Sequence, residues 1–356
     1  MAALSNGSTH EPLLPVSAPP PRGHSHLRMK RPLRIVATFI VLALALTYIL
    51  RKIDVEETAS IIGSANLFWV ALAALLILAN MLPLAWRWQL LLRARSIDES
   101  IGWLARAYLV SFAVGQVLPS SVGGDASRIY ETSRRHPGQV SPIAGSVLVE
   151  RAIGGAVTLV LAAIGFLLAI GRYPIGAYLW IELVFVLGTL VAGVVFFSRA
   201  ARARLVAVVP LARRLRIERL ARAVYEGVHG YRSHVRTLGV VSVVTFVVQI
   251  SGILAIYSAG RAVGVHVSPL AYFVLGPLLF LVMLLPLTIN GLAVREAFFV
   301  SFLGRLDVSP DAAFACGFLY FLITLAPALP GASVILWEAV RRAPVHQAAA
   351  GRPSSL

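Results

Sequence analysis

Eight apolar stretches restrict this chain more than any other feature. A helix needs roughly 20 residues to cross about 30 Å of hydrocarbon. The stretches 33–50, 67–86, 143–170, 176–197, 237–260 and 311–337 approach that length, whereas 103–118 and 268–289 also read as apolar but run into proline and glycine. Of the 356 residues, 58% are hydrophobic and only 13% are charged, with a mean hydropathy of +0.80. A soluble domain carries about 25% charged residues, so this chain cannot cover a wet surface with charge. It reads as one all-α polytopic membrane domain, and soluble globular and disordered classes are excluded.

Lys and Arg total 32 against 16 Asp and Glu, a net charge of +16, and only Lys30 and Lys52 are lysines. In a membrane chain such an excess marks cytoplasmic loops and contact with anionic lipid, so no nucleic-acid partner is expected. The single cysteine, Cys316, excludes an intrachain disulfide, and the histidines lack zinc-ligand spacing. Neither a metal nor a cofactor is expected.

Residues 1–32 combine Pro12, Pro15 and Pro19 to Pro21 with Ser, Gly and His and end in Arg28, Lys30 and Arg31, the composition of a disordered basic cytoplasmic tail. A cleaved signal is not expected, because 33–50 ends in Arg51 and Lys52 without a small-residue cleavage pattern. The membrane domain occupies 33–340, and 341–356 forms a C-terminal tail. Ten arginines crowd 198–236, which reads as a basic, amphipathic cytoplasmic loop on anionic lipid. If every apolar stretch spanned, that loop would fall outside. Letting 103–118 enter and return on the cytoplasmic side removes the conflict, and 268–303 then forms a matching hairpin from the outer side. About six full spans plus two re-entrant broken-helix hairpins result, with both termini cytoplasmic. Non-helical backbone at membrane depth survives only inside protein or beside a watery cavity.

The two interrupted stretches share a pattern. Pro119 is followed five positions on by Gly124 and four further by Arg128, and Pro286, Gly291 and Arg295 repeat that spacing. Paired broken helices of this kind indicate an inverted repeat and a transporter's midplane site. Proline ends one half-helix, glycine opens the turn, and the next half-helix starts with unpaired N–H groups that favour an anion. Arg128 and Arg295, one turn into each half-helix, add forked donors suited to phosphate. The alternative is that Ser120, Ser121, Asp125 and Asn290 cap helices while the arginines snorkel to the interface. Glu296 cannot share a face with Arg295 and is expected to reach another partner.

Glu150 and Arg151 lie inside the stretch 143–170, where ionisable groups are expensive and both should face the interior, either in the site or as a neutralising pair for Arg128 or Arg295. Arg87, between Trp86 and Trp88, fits an interfacial anchor or a gate for headgroup entry.

These residues resemble the lysylphosphatidylglycerol synthase transmembrane-region family of flippase-like membrane proteins. The resemblance rests on Gly115, Pro119, Gly123-Gly124-Asp125 and Arg128, on Glu150-Arg151, on Arg87, and on Gly291 with Arg295-Glu296, and covers about 33–340. It implies a lipid flippase or carrier of lipid-linked intermediates in a bacterial cell membrane. The soluble aminoacyl-transferase domain of bifunctional members does not follow Arg342, so aminoacylation by this chain is not expected. The expected function is non-enzymatic movement of an anionic phospholipid or polyprenyl-phosphate-linked lipid, at a site of Arg128, Arg295, Gly123, Gly124, Asp125, Gly291, Glu296, Glu150, Arg151 and Arg87. No G-x-x-x-x-G-K-[ST] element occurs, so movement is downhill, ion-coupled or driven by a partner lipid-modifying enzyme. The competing expectation is a glycosyltransferase using a polyprenyl-phosphate sugar, with Asp54, Glu56 and Glu57 as its acids.

Overall fold

A computed structural model describes residues 46–117, 122–173, 230–231, 233–284 and 293–342, with residue 291 and parts of 176–188. Both tails, the first apolar stretch up to residue 45, most of 176–197, the basic stretch from 198 to 229, and Pro119, Ser120, Ser121, Pro286 and Asn290 lie outside the described residues.

Every regular element among the described residues is helical. In chain order the main α-helices are α1 (Val55–Gly63), α2 (Leu67–Ala79), α3 (Met81–Arg93), α4 (Ile101–Val117), α5 (Val122–Arg135), α6 (Val140–Ala169), α7 (Val235–Ala262), α8 (Pro269–Leu284), α9 (Val294–Leu303), α10 (Pro310–Thr324) and α11 (Ala328–Arg342), with a 3-10 turn at Gly304–Leu306. Among the described residues, four helical stretches are long and apolar enough to cross a membrane: Leu67–Arg93, Val140–Ala169, Val235–Ala262 and Pro310–Arg341.

Proline explains the breaks in the first and last of these. Pro83 has no N–H for the Ala79 carbonyl, and the helix is interrupted at Asn80. Pro327 likewise cannot serve Ile323, whose carbonyl accepts the Ala326 N–H at 3.0 Å in a tighter turn. Within α8, Pro277 leaves the Phe273 carbonyl without its helical donor. Gly165 of α6 packs on that carbonyl, where any Cβ would collide with the oxygen. Small residues that let backbones approach are what hold helices together in lipid, where apolar burial gives little net drive.

α4 and α5 run antiparallel, with Arg106 beside Glu131, Tyr108 beside Arg128 and Ser111 against Gly124. The start of α4 and the end of α5 lie together. Arg135, the last residue of α5, and His136 just after it both meet Glu99, just before α4, at 2.5 and 3.0 Å. Arg95 stacks on Tyr231 before α7, and Arg106 pairs with Glu338 on α11. At the opposite end of the bundle, the Asn66 N–H donates to Ala262, that of Asp54 to Asp311, and Tyr178 meets Ser301.

The largest core cluster gathers Tyr272, Phe299, Phe302, Leu303 and Cys316 between α7, α8, α9 and α10, and a smaller one packs Trp88, Leu104, Tyr108, Ile143 and Val147 behind α4. Leu67, Phe68, Leu75, Leu167, Val243, Leu336 and Trp337 remain exposed, as lipid-facing side chains must.

Candidate functional site

The site is built on Glu150. The apolar run of α6 carries it two turns past Pro142 into the bundle, where it is 5% exposed. Its Oε1 accepts from Arg87 Nη2 at 2.6 Å, Tyr108 Oη at 2.7 Å and Arg128 Nη2 at 3.2 Å, and its Oε2 accepts from Arg128 Nη1 at 2.9 Å. Arg128 is 1% exposed and also donates to Asp125 Oδ1 from Nε at 3.0 Å and Nη2 at 2.9 Å, and to Tyr108 Oη at 2.8 Å. Its guanidinium lies against the edge-to-face pair of Trp88 and Tyr108, 4.7 and 4.6 Å from their ring centroids. All five of its N–H donors are therefore engaged. An anion reaching Arg128 must displace a carboxylate.

Asp125 links this buried group to the surface of the cluster. Its Oδ2 accepts from Arg151 Nε at 2.7 Å and Nη2 at 2.6 Å, and the Arg151 side chain is 48% exposed. Among the described residues, the three guanidinium groups of Arg87, Arg128 and Arg151 thus face two carboxylates, an excess of one positive charge. A cavity of about 330 Å³ opens on this cluster and is lined by Arg87, Asp125, Arg128 and Arg151 together with Phe112 and Gln116.

Phe112 and Gln116 also line a second cavity of about 310 Å³, with Gln249, Met283, Arg295 and Thr324. The two spaces therefore adjoin across one face of α4. Arg295 is 3% exposed, near the start of α9, with its guanidinium 4.4 Å from the centre of the Phe321 ring. It donates to Glu296 Oε1 from Nε at 2.9 Å and Nη2 at 2.5 Å.

Several expectations need correction. Glu296 takes its own neighbour Arg295 as partner: adjacent helical Cβ atoms diverge, but the long arginine curls back to the buried carboxylate beside it. Arg151 does not share the interior with Glu150, since successive helical residues point about 100° apart. Arg87 is no interfacial anchor; it is 7% exposed and donates to Thr245 at 3.0 Å, and Trp88 is wholly buried with its N–H on Ser146, while only Trp86 faces outward. Asp125 binds two arginines rather than capping its helix. Arg128 falls in the second turn of α5, because the helix already begins at Val122.

The repeated glycines do different work. Gly123 and Gly124 lie inside α5, and a Cβ on Gly124 would sit 2.5 Å from the Ser111 carbonyl oxygen, so Gly124 sets how closely α4 and α5 approach. Gly291 has φ +71°, a left-handed conformation, and packs against the Met283 sulfur. Asp54 caps α1, accepting from the N–H groups of Glu56 and Glu57 at 2.8 and 3.2 Å.

Sequence reasoning missed Tyr108, Thr245 and Gln116. A signal existed for the first: Tyr108, Ser111 and Gly115 follow i, i+3, i+7 spacing and define one polar, small-residue face on an otherwise apolar helix.

An all-helical bundle with lipid-facing apolar surfaces and ion pairs buried among its spans defines a multi-pass membrane protein. The chain belongs to the lysylphosphatidylglycerol synthase TM region family, whose model matches residues 34–331. That family points to lipid biosynthesis or translocation. No curated protein matches the chain.

Proposed function

We propose that this chain carries the anionic headgroup of a phospholipid or polyprenyl-phosphate-linked lipid across the cell membrane while the tails remain in the bilayer, acting as a carrier rather than an enzyme. The observation behind the reading is the pair of adjoining cavities: one borders a cluster with net positive charge, the other borders Arg295, and Phe112 and Gln116 separate them. An anion leaving water loses hydration worth many kcal/mol, and fixed guanidinium donors on either side of a short polar step replace it.

In this reading the end of the bundle that holds Arg93, Arg135 and Tyr231 is cytoplasmic, as are both termini, and the chain makes six spans. The α4–α5 pair re-enters from the cytoplasm and α8–α9 from outside. Arg151, half exposed and bound to Asp125, meets the headgroup first. Arg295 receives it after passage by Gln116, whose amide offers both donors and acceptors to a phosphate.

The test is transbilayer movement of fluorescent anionic lipids in proteoliposomes, read by outer-leaflet quenching, with a panel covering phosphatidylglycerol and polyprenyl phosphates. Wild type moves at least one of them, and Arg151→Ala and Arg295→Ala each lose most of the rate. Movement that is indifferent to both substitutions would refute the pathway.

A further inference from the structure

Arg295 and Glu296 form a wall between two different spaces. Arg295 lines the cavity of about 310 Å³ described above. Glu296 lines another, of about 400 Å³, whose walls include Ile49, Ile53, Thr58, Phe314 and Phe318 and are almost wholly apolar. Glu296 is 2% exposed, and its two oxygens are treated unequally: Oε1 takes both hydrogen bonds from Arg295, while Oε2 is buried with no hydrogen-bond partner among the described residues. The other carboxylates of the pathway differ, since Glu150 and Asp125 each have both oxygens hydrogen-bonded. A bare carboxylate oxygen against hydrocarbon is expensive, and Arg295 is the sole ion-pair partner that offsets it among the described residues.

We infer that Glu296 takes up a proton when an anionic headgroup binds Arg295, so that lipid anion and proton occupy the outer half of the pathway together. The inference rests on the carrier reading above, in which a headgroup enters the cavity beside Arg295. A phosphate there competes with Glu296 for the same guanidinium donors and puts two negative charges against one positive charge in a low-dielectric site. Protonation at Oε2 restores neutrality, loosens the hold of Oε1 on Arg295 and turns those donors toward the phosphate. The proton comes from water and returns to it on release; no covalent bond other than O–H forms or breaks.

The surrounding groups leave this role to Glu296. Among described residues, α8 contributes Tyr272, the turn after α9 contributes Arg305, and α10 contributes Asp311, Cys316 and Tyr320. Tyr178 lies against Phe298 and Phe302, and the segment before α1 and α1 itself, which line the Glu296 cavity, add Tyr48, Arg51, Lys52, Glu56 and Glu57, all exposed and none lining that cavity. Tyr320 lines the Arg295 cavity rather than that of Glu296. Asp311 reaches the Glu296 cavity only through Thr58, which donates to it at 3.3 Å, and it already accepts the Asp54 N–H at 2.6 Å.

The experiment adds dioctanoyl phosphatidylglycerol to the full chain in weakly buffered detergent solution, following binding together with proton uptake by a pH dye. The phosphodiester does not titrate near neutrality, so uptake belongs to the protein. Wild type takes up as much as one proton per bound lipid, and its affinity rises by up to about tenfold for each pH unit lowered across the titration. Glu296→Gln binds without uptake, with an affinity that no longer follows pH. Glu296→Asp, which keeps an acid there, restores uptake; equal loss in both variants would assign the effect to packing and overturn the proposal. A second arm with farnesyl phosphate distinguishes a polyprenyl from a glycerophospholipid source, the probe's own titration being read from Glu296→Gln. Binding by wild type without proton uptake overturns the coupling and leaves the carrier reading standing. Absence of binding by either probe overturns both.

Discussion

Arg128 and Glu150, 22 residues apart and on different helices, are joined by hydrogen bonds of 2.9 and 3.2 Å that use both carboxylate oxygens and both terminal guanidinium nitrogens. This pair ties the α4–α5 hairpin to the long helix α6, and Arg87 on α3 binds the same carboxylate. Three separate segments thus converge on one anion, and the pair serves first as the fastener of the site.

Glu150→Gln should therefore act mainly on stability. It leaves Arg87 and Arg128 buried without their shared counter-charge, a loss of about 3–5 kcal/mol. Thermal unfolding in detergent is the check, and the Glu150→Gln, Arg128→Gln double variant should lose less than the sum of the single changes, because the two act through one interaction.

Arg151→Ala should show the opposite profile. Its own side chain is half exposed and Asp125 keeps its hydrogen bonds to Arg128, so the loss should be about 1 kcal/mol and the melting temperature should move little. Lipid movement should nonetheless fall by about tenfold, the loss of one charge-assisted contact. Parallel unfolding and proteoliposome assays on one preparation separate the two effects.

Gly124→Ala should separate α4 from α5. The added methyl meets the Ser111 carbonyl, which is backbone and cannot swing away, so the cost is about 1–3 kcal/mol. Ser111→Gly should not rescue it, since the offending oxygen remains. Gly123→Ala, on the less buried neighbour, provides the matched comparison in the same unfolding assay.

Phe112 stands where the two cavities adjoin. Phe112→Ala should widen the passage and raise the rate of lipid movement, whereas Phe112→Trp should lower it. A common direction of change in both variants would remove Phe112 from the path.

Much of this architecture can be read from residues alone. Apolar length locates three of the four described spans to within four residues at each end and stops seven short of Arg93 in the first, and the charges inside them point to Glu150 and, through the glycine spacing, Arg128 as members of one buried cluster. Helix rotation is harder to read. Trp86, Arg87 and Trp88 are adjacent letters that point to different faces, and nothing in an apolar helix says which face turns inward when lipid and protein core are equally oily. The Arg295–Glu296 pair was hidden for a related reason: spacing rules describe where Cβ atoms point, while a long side chain in a site with one available anion bends to reach it.

The most direct test of the pathway uses Gln116, which lines both cavities. Gln116→Cys in a Cys316→Ser background gives a single thiol at their junction, and lipid movement is measured before and after modification with a bulky charged thiol reagent. If headgroups pass between the two arginine sites, modification abolishes movement, prebound lipid slows the labelling, and reduction of the adduct restores transport. Movement that continues at the unmodified rate after complete labelling would contradict the account.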